Sequence, residues 1–268
     1  MSLPLALVTG GSSGIGLSIS QELLNRGYRV YSVSRNPERG LDNPQFFPLR
    51  LDLSEPAKIT PFGLNFLKEY GVPDLLINNA GCGAFYEWGS FPEEEIMRQV
   101  NLLFTSPILM CRTFAPEMAK RSKGIILNMS SLATLYPLPF MPMYNAGKSA
   151  LSSFTESMML EYPNYPKFID FRMGDVKTKF NQLATAQSKD KQTEMMRRAW
   201  LQIDRQLERS PEPVVVVQQI LNALDGGQSN CYYGGGFFHR KILPIVRIFL
   251  TNKLMTISLK WYYSIFRD

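Results

Sequence analysis

The sequence predicts an α/β protein built on a doubly wound parallel sheet, and three observations carry that prediction. Leu5–Val8 is a short apolar run entering the glycine-rich turn Thr9-Gly10-Gly11-Ser12-Ser13-Gly14-Ile15-Gly16, and a helical pattern at Ile19, Leu23 and Leu24 follows it. Apolar runs of strand length then alternate with helical patterns from residue 5 to residue 178. The runs are nearly continuous in apolar residues, as strands covered on both faces must be. No repeat and no linker composition marks a second domain. A single domain is expected over residues 1–239, with a helical tail over 240–268.

Taken in order, the first element is the strand Leu5–Val8 with its glycine turn. Gly10 lets the chain turn tightly, and Gly14 and Gly16 let backbone N–H groups and the helix start approach a pyrophosphate. Arg29–Ser34 is the second strand. A site for NAD places an acidic residue at its end to bond the ribose hydroxyls, and this chain has Ser34-Arg35 instead. A hydroxyl and a guanidinium suit a 2′-phosphate, so the expected cofactor is NADP(H). Phe47–Leu51 is the third strand, and the Asp52 carboxylate after it, beside Leu53, is placed to meet an adenine amino group.

Ile59–Tyr70 reads as a helix and Asp74–Ile77 as the fourth strand, which ends in Asn78-Asn79-Ala80-Gly81. Small and amide residues there can close over a nucleotide in the crevice where strand order reverses. Pro92–Met118 is largely helical and carries Asn101, an amide that either caps a helix kink or holds a water. Gly124–Met129 is the fifth strand, with Ser131 expected in a polar turn beyond its apolar part.

A helix then runs through Leu160, with Tyr144 and Lys148 four residues apart on one face. An unperturbed phenol titrates near pH ~10 and exchanges protons poorly at neutrality. A neighbouring ammonium is expected to lower that value and make Tyr144 a general acid/base, with Ser131 holding a substrate oxygen.

Phe168–Met173 is the sixth strand and runs into Gly174-Asp175-Val176-Lys177-Thr178. Residues 180–210 are polar but interrupted by Met195, Met196, Trp200, Leu201 and Ile203. That pattern suits either a lid with an apolar underside or a structural helical hairpin. Pro213–Leu224 is an amphipathic helix, and Cys231–Tyr233 a last short strand.

Taken together, TGGSSGIG at 9–16, NNAG at 78–81, Asn101, Ser131 and Tyr144-x-x-x-Lys148 resemble the short-chain dehydrogenase/reductase family over residues 4–235. The resemblance implies a Rossmann fold and an oxidoreductase moving hydride between a nicotinamide and a carbonyl or secondary alcohol. It implies a catalytic set of Asn101, Ser131, Tyr144 and Lys148. Tyr144 would deliver the proton, Lys148 would bond the nicotinamide ribose, Ser131 would position the carbonyl, and Asn101 would hold a water. The implied dinucleotide contacts are Thr9, Gly10, Ser12, Ser13, Gly14, Ile15, Gly16, Ser34, Arg35, Asp52, Leu53, Asn79, Ala80, Gly81, Tyr144, Lys148, Gly174, Val176 and Thr178. Two positions depart from the family pattern. Met173-Gly174 stands where Pro-Gly is common, and Gly147 where a serine usually precedes the lysine. A catalytically idle NADP-binding sensor or scaffold is the competing reading, and intact Ser131, Tyr144 and Lys148 argue against it.

Composition narrows the field further. Three cysteines (Cys82, Cys111, Cys231) without CxxC spacing suggest neither a disulfide framework nor a zinc site, and no metal is expected. The single histidine, His239, excludes a multi-histidine centre. The start lacks a basic signal-peptide region, and no uncharged run reaches the ~18–20 residues that span a bilayer, so a cytoplasmic protein is expected. Net charge is +6, and residues 240–267 hold six basic residues and no acid. Those cations alternate with bulky aliphatics, which argues against nucleic acid.

In the tail, Lys253, Thr256, Lys260, Ser264 and Arg267 make a narrow polar stripe on an otherwise apolar helix, and a break is expected near Thr251-Asn252. Three uses stay open: a membrane surface, a second subunit in a homo-oligomer, or a cover over the chain's own cleft. Apolar lid and tail residues favour a hydrophobic substrate such as a steroid, a 3-keto lipid or a long-chain ketone.

Overall fold

The computed structural model describes residues 3–37, 40–178 and 184–265. Seven parallel strands form one sheet: β1 (Leu5–Thr9), β2 (Arg29–Ser34), β3 (Phe46–Arg50), β4 (Leu75–Asn78), β5 (Ile125–Ser131), β6 (Lys167–Met173) and β7 (Asn230–Gly234), in the order 3-2-1-4-5-6-7. Strand order reverses between β1 and β4, which opens a crevice at their C-terminal ends. The helices are α1 (Gly14–Asn25), α2 (Pro56–Tyr70), α3 (Glu93–Val100), α4 (Ser106–Lys120), α5 (Pro142–Glu161), α6 (Glu194–Glu208), α7 (Pro213–Asp225), α8 (Leu243–Phe249) and α9 (Asn252–Tyr262).

Alternation of side chains along the strands feeds two cores. Ala6 and Val8 point to one face, against Ile15, Ile19 and Leu23 of α1 and Val216, Ile220 and Leu224 of α7. Leu5 and Leu7 point to the other, against Ile59 and Phe66 of α2 and Met110, Phe114 and Met118 of α4. All five β1 residues are buried, which explains the unbroken apolar run Leu5–Val8. Each fully buried Leu, Ile or Phe contributes about 1.5–3 kcal/mol.

The expected strands and helices form, with ends shifted by a few residues. One difference bears on the site. Ser131 was expected in a turn, and it is the last residue of β5 instead. The ladder continues because its polar side chains find partners: Asn128 accepts from Asn78 (2.8 Å) and donates to Thr155 (2.9 Å), and Ser130 donates to the buried Asp170. Between α3 and α4, Asn101–Thr105 form a π-helical turn.

Residues 180–183 of the expected lid lie outside the described residues. Beyond them, Thr185–Ala186 pair in parallel with Ala84–Phe85, and Thr193 caps α6 through a bond from the Met196 N–H. Met196, Ala199 and Ile203 form the buried underside of α6, with Trp200 against Phe85 (4.8 Å between ring centres). Met195 and Leu201, expected on that underside, are exposed.

The tail breaks where expected, since α8 ends at Phe249 and Thr251 caps α9. Tyr263 is buried and Leu259 and Ile265 partly buried against the cluster that holds Phe85, Leu103, Met141 and Tyr144. One face of the tail therefore packs on the chain's own apolar cluster beside Tyr144. Its other face exposes Ile248, Phe249, Leu254 and Trp261. Residues 266–268, including Arg267 of the expected stripe, lie outside the described residues.

Candidate active site

The glycine turn is built by close approach. Gly10 has φ +68°, and its N–H donates to Val33 O (2.8 Å). A Cβ on Gly16 would sit 2.2 Å from Gly10 O, so any side chain there would push α1 off the turn. Gly14 has φ +52° with open space beyond it, and Ser12 and Ser13 flank that opening. The first N–H groups of α1 face it without a side-chain cap. Ile15 turns its side chain into the core and can offer only backbone.

Thr9 and Asn79 lock this turn to the end of β4. Thr9 Oγ1 accepts from the Asn79 N–H (3.0 Å) and the Ala80 N–H (3.1 Å), and Asn79 Nδ2 donates to Thr9 O (3.0 Å). Both side chains, expected among the dinucleotide contacts, are thus spent on positioning the crevice walls. Leu53 likewise packs in the core, and its carbonyl accepts from Ser106 Oγ.

At the end of β2, Ser34 Oγ is buried and has no hydrogen-bond partner among the described residues, with the exposed Arg35 next to it. A buried hydroxyl without a partner costs about 1–3 kcal/mol. The pair fits a phosphate, whose oxygens would accept from both. Asp52 Oδ1 accepts from the Ser54 N–H (2.8 Å) and Oγ (2.7 Å). Burial alone would raise its carboxyl. The two Ser54 bonds, with the fields of Arg35 and Arg98, outweigh that and hold it below the usual carboxylate range.

The structure brings Ser131, Tyr144 and Lys148 together beside this crevice. Tyr144 is 7% exposed and shares a hydrogen bond with Ser131, whose Oγ also accepts from the Ala133 N–H (3.1 Å). Lys148 is 5% exposed. Its Nζ donates to Met129 O (2.5 Å) and lies 3.4 Å from the place a Cβ on Gly81 would take. Ser130, the neighbouring hydroxyl, points instead to Asp170. Asn101 starts the π turn, and its amide nitrogen donates to Ser54 O (3.2 Å), so its visible work is to tie that turn to the loop after β3.

The expected lowering of the phenol does not hold. Burial pushes Tyr144 up to about 12, with the Ser131 hydrogen bond pulling the other way and the fields of Asp175 and Cys82 adding to the rise. Burial also pushes Lys148 down to about 8. In both groups the loss of water on burial is the largest cause of the shift.

Past β6, a Cβ on Gly174 would lie 3.0 Å from both Gly234 O and His239 Cβ and 3.1 Å from Leu132 Cδ1. Glycine lets β7 and the start of the tail close on the loop that carries Val176, which is buried, and Thr178. Sequence reasoning missed Asp175, whose Oδ2 lies 3.5 Å from His239 Nε2. The partners are 64 residues apart, and only the identity of His239 as the single histidine could have drawn attention to it.

Residues 4–189 match the family model for short chain dehydrogenases. The chain is similar to a 3-ketodihydrosphingosine reductase of Bacteroides thetaiotaomicron, 32% identical over 177 residues that cover 66% of this chain and 65% of the relative. It is also similar to an NADPH-dependent 1-acyldihydroxyacetone phosphate reductase of Saccharomyces cerevisiae, 32% identical over 166 residues, 59% of this chain and 55% of the relative. The chain thus spans less than two thirds of the length of these relatives. A crystal structure of a short-chain dehydrogenase from Streptomyces avermitilis superimposes with a TM-score of 0.80 at 24% identity, covering 96% of this chain and 97% of that one, which shows a shared fold. Among the described residues no helix is long and apolar enough to cross a membrane.

Proposed function

The chain belongs to the short-chain dehydrogenase family, and from that premise we propose that it is an NADPH-dependent oxidoreductase acting on a carbonyl or secondary alcohol of a hydrophobic substrate. The observation that carries the reading is the buried Tyr144–Ser131 pair with Lys148 at the crevice behind the glycine turn.

A nicotinamide in that crevice would supply or accept the hydride. The protein's own part is proton handling and orientation. With burial raising its phenol, Tyr144 keeps its proton at neutral pH and holds it ready for a carbonyl oxygen, which suits reduction. Ser131 orients the same oxygen by hydrogen bonding. Lys148, when charged, places a positive field beside the oxygen that takes on negative charge. Asn101 supports the wall that carries these groups. The residues that would hold the dinucleotide are the backbone of the glycine turn, Gly81 and Val176, with Ser34 and Arg35 for a 2′-phosphate.

NADP(H) is favoured by the Ser34 hydroxyl beside Arg35, which has no partner among the described residues, and the yeast relative is named as NADPH-dependent. A hydrophobic substrate is favoured by the apolar cluster around Tyr144, and both relatives are named for lipid substrates. We read residues 1–239 as the catalytic domain, with the lid about 180–210, and 240–268 as its helical extension. The exposed apolar and basic face of that extension fits peripheral contact with an anionic membrane surface from the cytoplasmic side.

The test is NADPH oxidation over a panel of apolar ketones. Turnover of one member that disappears in Tyr144→Phe supports the enzyme. NADPH binding without turnover of any member favours the sensor reading.

A further inference from the structure

The helix that carries Tyr144 and Lys148 lies on the sheet by a polar face. Its buried residues are Tyr144, Gly147, Lys148, Leu151, Ser152 and Thr155. The four polar ones among them follow one another down one side of α5 at helical spacing. An apolar face can slide on a sheet at little cost, whereas a polar one is fixed by the length and direction of each bond.

Asp170, on β6, is the centre of that contact, and it is fully buried. Its Oδ1 accepts from Ser130 Oγ on β5. Its Oδ2 accepts from Ser152 Oγ on α5 (2.7 Å) and from Arg172 Nε (2.8 Å), with Cys231 Sγ of β7 3.7 Å away. Arg172 Nη2 in turn donates to Ser152 Oγ (2.9 Å) and to Glu156, one turn further along α5, and Nη1 donates to the Tyr233 hydroxyl (3.3 Å). A fully buried carboxylate is kept only where it is paired and hydrogen-bonded, and this one is both.

The two serines place the carboxylate relative to the site. Ser130 stands between Met129, whose carbonyl accepts from Lys148 Nζ, and Ser131, which shares a hydrogen bond with Tyr144. Ser152 is one helical turn beyond Lys148. Asp170 thus grips strand and helix beside the two points where they meet in the site.

We propose that Asp170 is a positioning residue for the reaction: by holding Ser130 and Ser152 at once, it fixes α5 on β5 and keeps Lys148 on the Met129 carbonyl and Tyr144 on Ser131. The inference rests on the oxidoreductase reading and deepens it. Its charge has a second consequence. The titratable groups around Lys148 are Tyr144 on its own helix face, Cys82 after Gly81, and Asp170, and negative charge on Cys82 or Asp170 favours the ammonium. Around Asp170 itself stand Arg172 and Cys231, with Glu156 and Tyr233 reached through Arg172.

The experiment compares the full-length wild type with Ser152→Ala and Asp170→Asn in ketone reduction. Ser152→Ala removes one tie and no charge, so kcat should fall about tenfold through misplacement of the reacting groups. Its NADPH Kd and the midpoint of its alkaline limb should stay as in wild type. Asp170→Asn should lower kcat further and also move the alkaline limb to lower pH, because the ammonium loses a supporting charge. A residue that only stabilises the fold would lower the urea midpoint without moving that limb. Wild-type kcat in Ser152→Ala overturns the proposal, and that arm stands if Asp170→Asn fails to fold. An unmoved limb in a folded Asp170→Asn overturns it as well. Carbon-13 NMR of the Lys148 side chain, assigned with Lys148→Arg, reads the same shift without turnover. A lowered Lys148 midpoint in Asp170→Asn, with no ketone reduced by wild type, removes the enzyme reading and leaves the tie between Asp170 and Lys148. Ketone reduction by wild type, with kcat and the Lys148 midpoint unaltered in both variants, removes the role of Asp170 and leaves the enzyme.

Discussion

Leu103 Cβ lies 2.8 Å from the place a Cβ on Gly147 would occupy, so α5 presses its backbone onto the π turn that begins at Asn101. The residue before Lys148 is glycine because that contact leaves no room for a side chain. Glycine inside a helix costs about 0.5–1 kcal/mol relative to alanine. Even so, Gly147→Ser is expected to destabilise the protein by about 1–3 kcal/mol, because overpacking outweighs the propensity gain. Urea unfolding checks this, and an unchanged or raised midpoint contradicts it.

The alkaline limb of reduction should report Lys148. Burial lowers its amine to about 8, so the ammonium is present below that pH and lost above it. Tyr144, at about 12, keeps its proton across the same range. The kcat/KM for ketone reduction is therefore expected to be level near pH 6–7 and to fall as pH rises through about 8. A profile level to pH 10 removes Lys148 from this role.

Arg35→Ala should raise the Kd for NADPH by roughly 10- to 100-fold and leave NADH nearly unchanged, since a charge-assisted hydrogen bond is worth about 1.5–3 kcal/mol. Fluorescence titration with both nucleotides reads the ratio. An unaltered NADPH/NADH preference shows that the phosphate is held elsewhere.

The exposed face of the tail makes a separate prediction. Ile248 and Phe249 are 78% and 80% exposed, between Arg247 and Lys253. The full chain is expected to pellet with anionic vesicles and less with neutral ones, and Ile248→Ser with Phe249→Ser should abolish pelleting while leaving the fold intact. Equal pelleting of both proteins, or none of either, removes the membrane reading.

Much of this was legible in the chain because the signals are local. A strand leading into Gly10, Gly14 and Gly16 and then a helix fixes the crevice within one βα unit, and Tyr144 and Lys148 share a face by helical period alone. What was hidden depends on residues far apart in sequence. The π turn at Asn101 and the glycine at 147 explain one another only once α5 is packed. The spent hydroxyl of Thr9, the buried hydroxyl of Ser34 without a partner among the described residues and the Asp175–His239 contact all depend on how distant segments pack. The Tyr144 phenol rises where a fall is expected because burial, which a sequence pattern shows poorly, outweighs the one lowering contact, the hydrogen bond to Ser131.

The most direct measurement is the kcat/KM for NADPH-dependent ketone reduction in Tyr144→Phe, taken with the NADPH Kd of the same variant. Loss of a positioned general acid should lower kcat/KM by about 10²–10⁴, with the Kd nearly unchanged. A variant that keeps wild-type turnover would show that the proton comes from another group and that the proposed site is wrong.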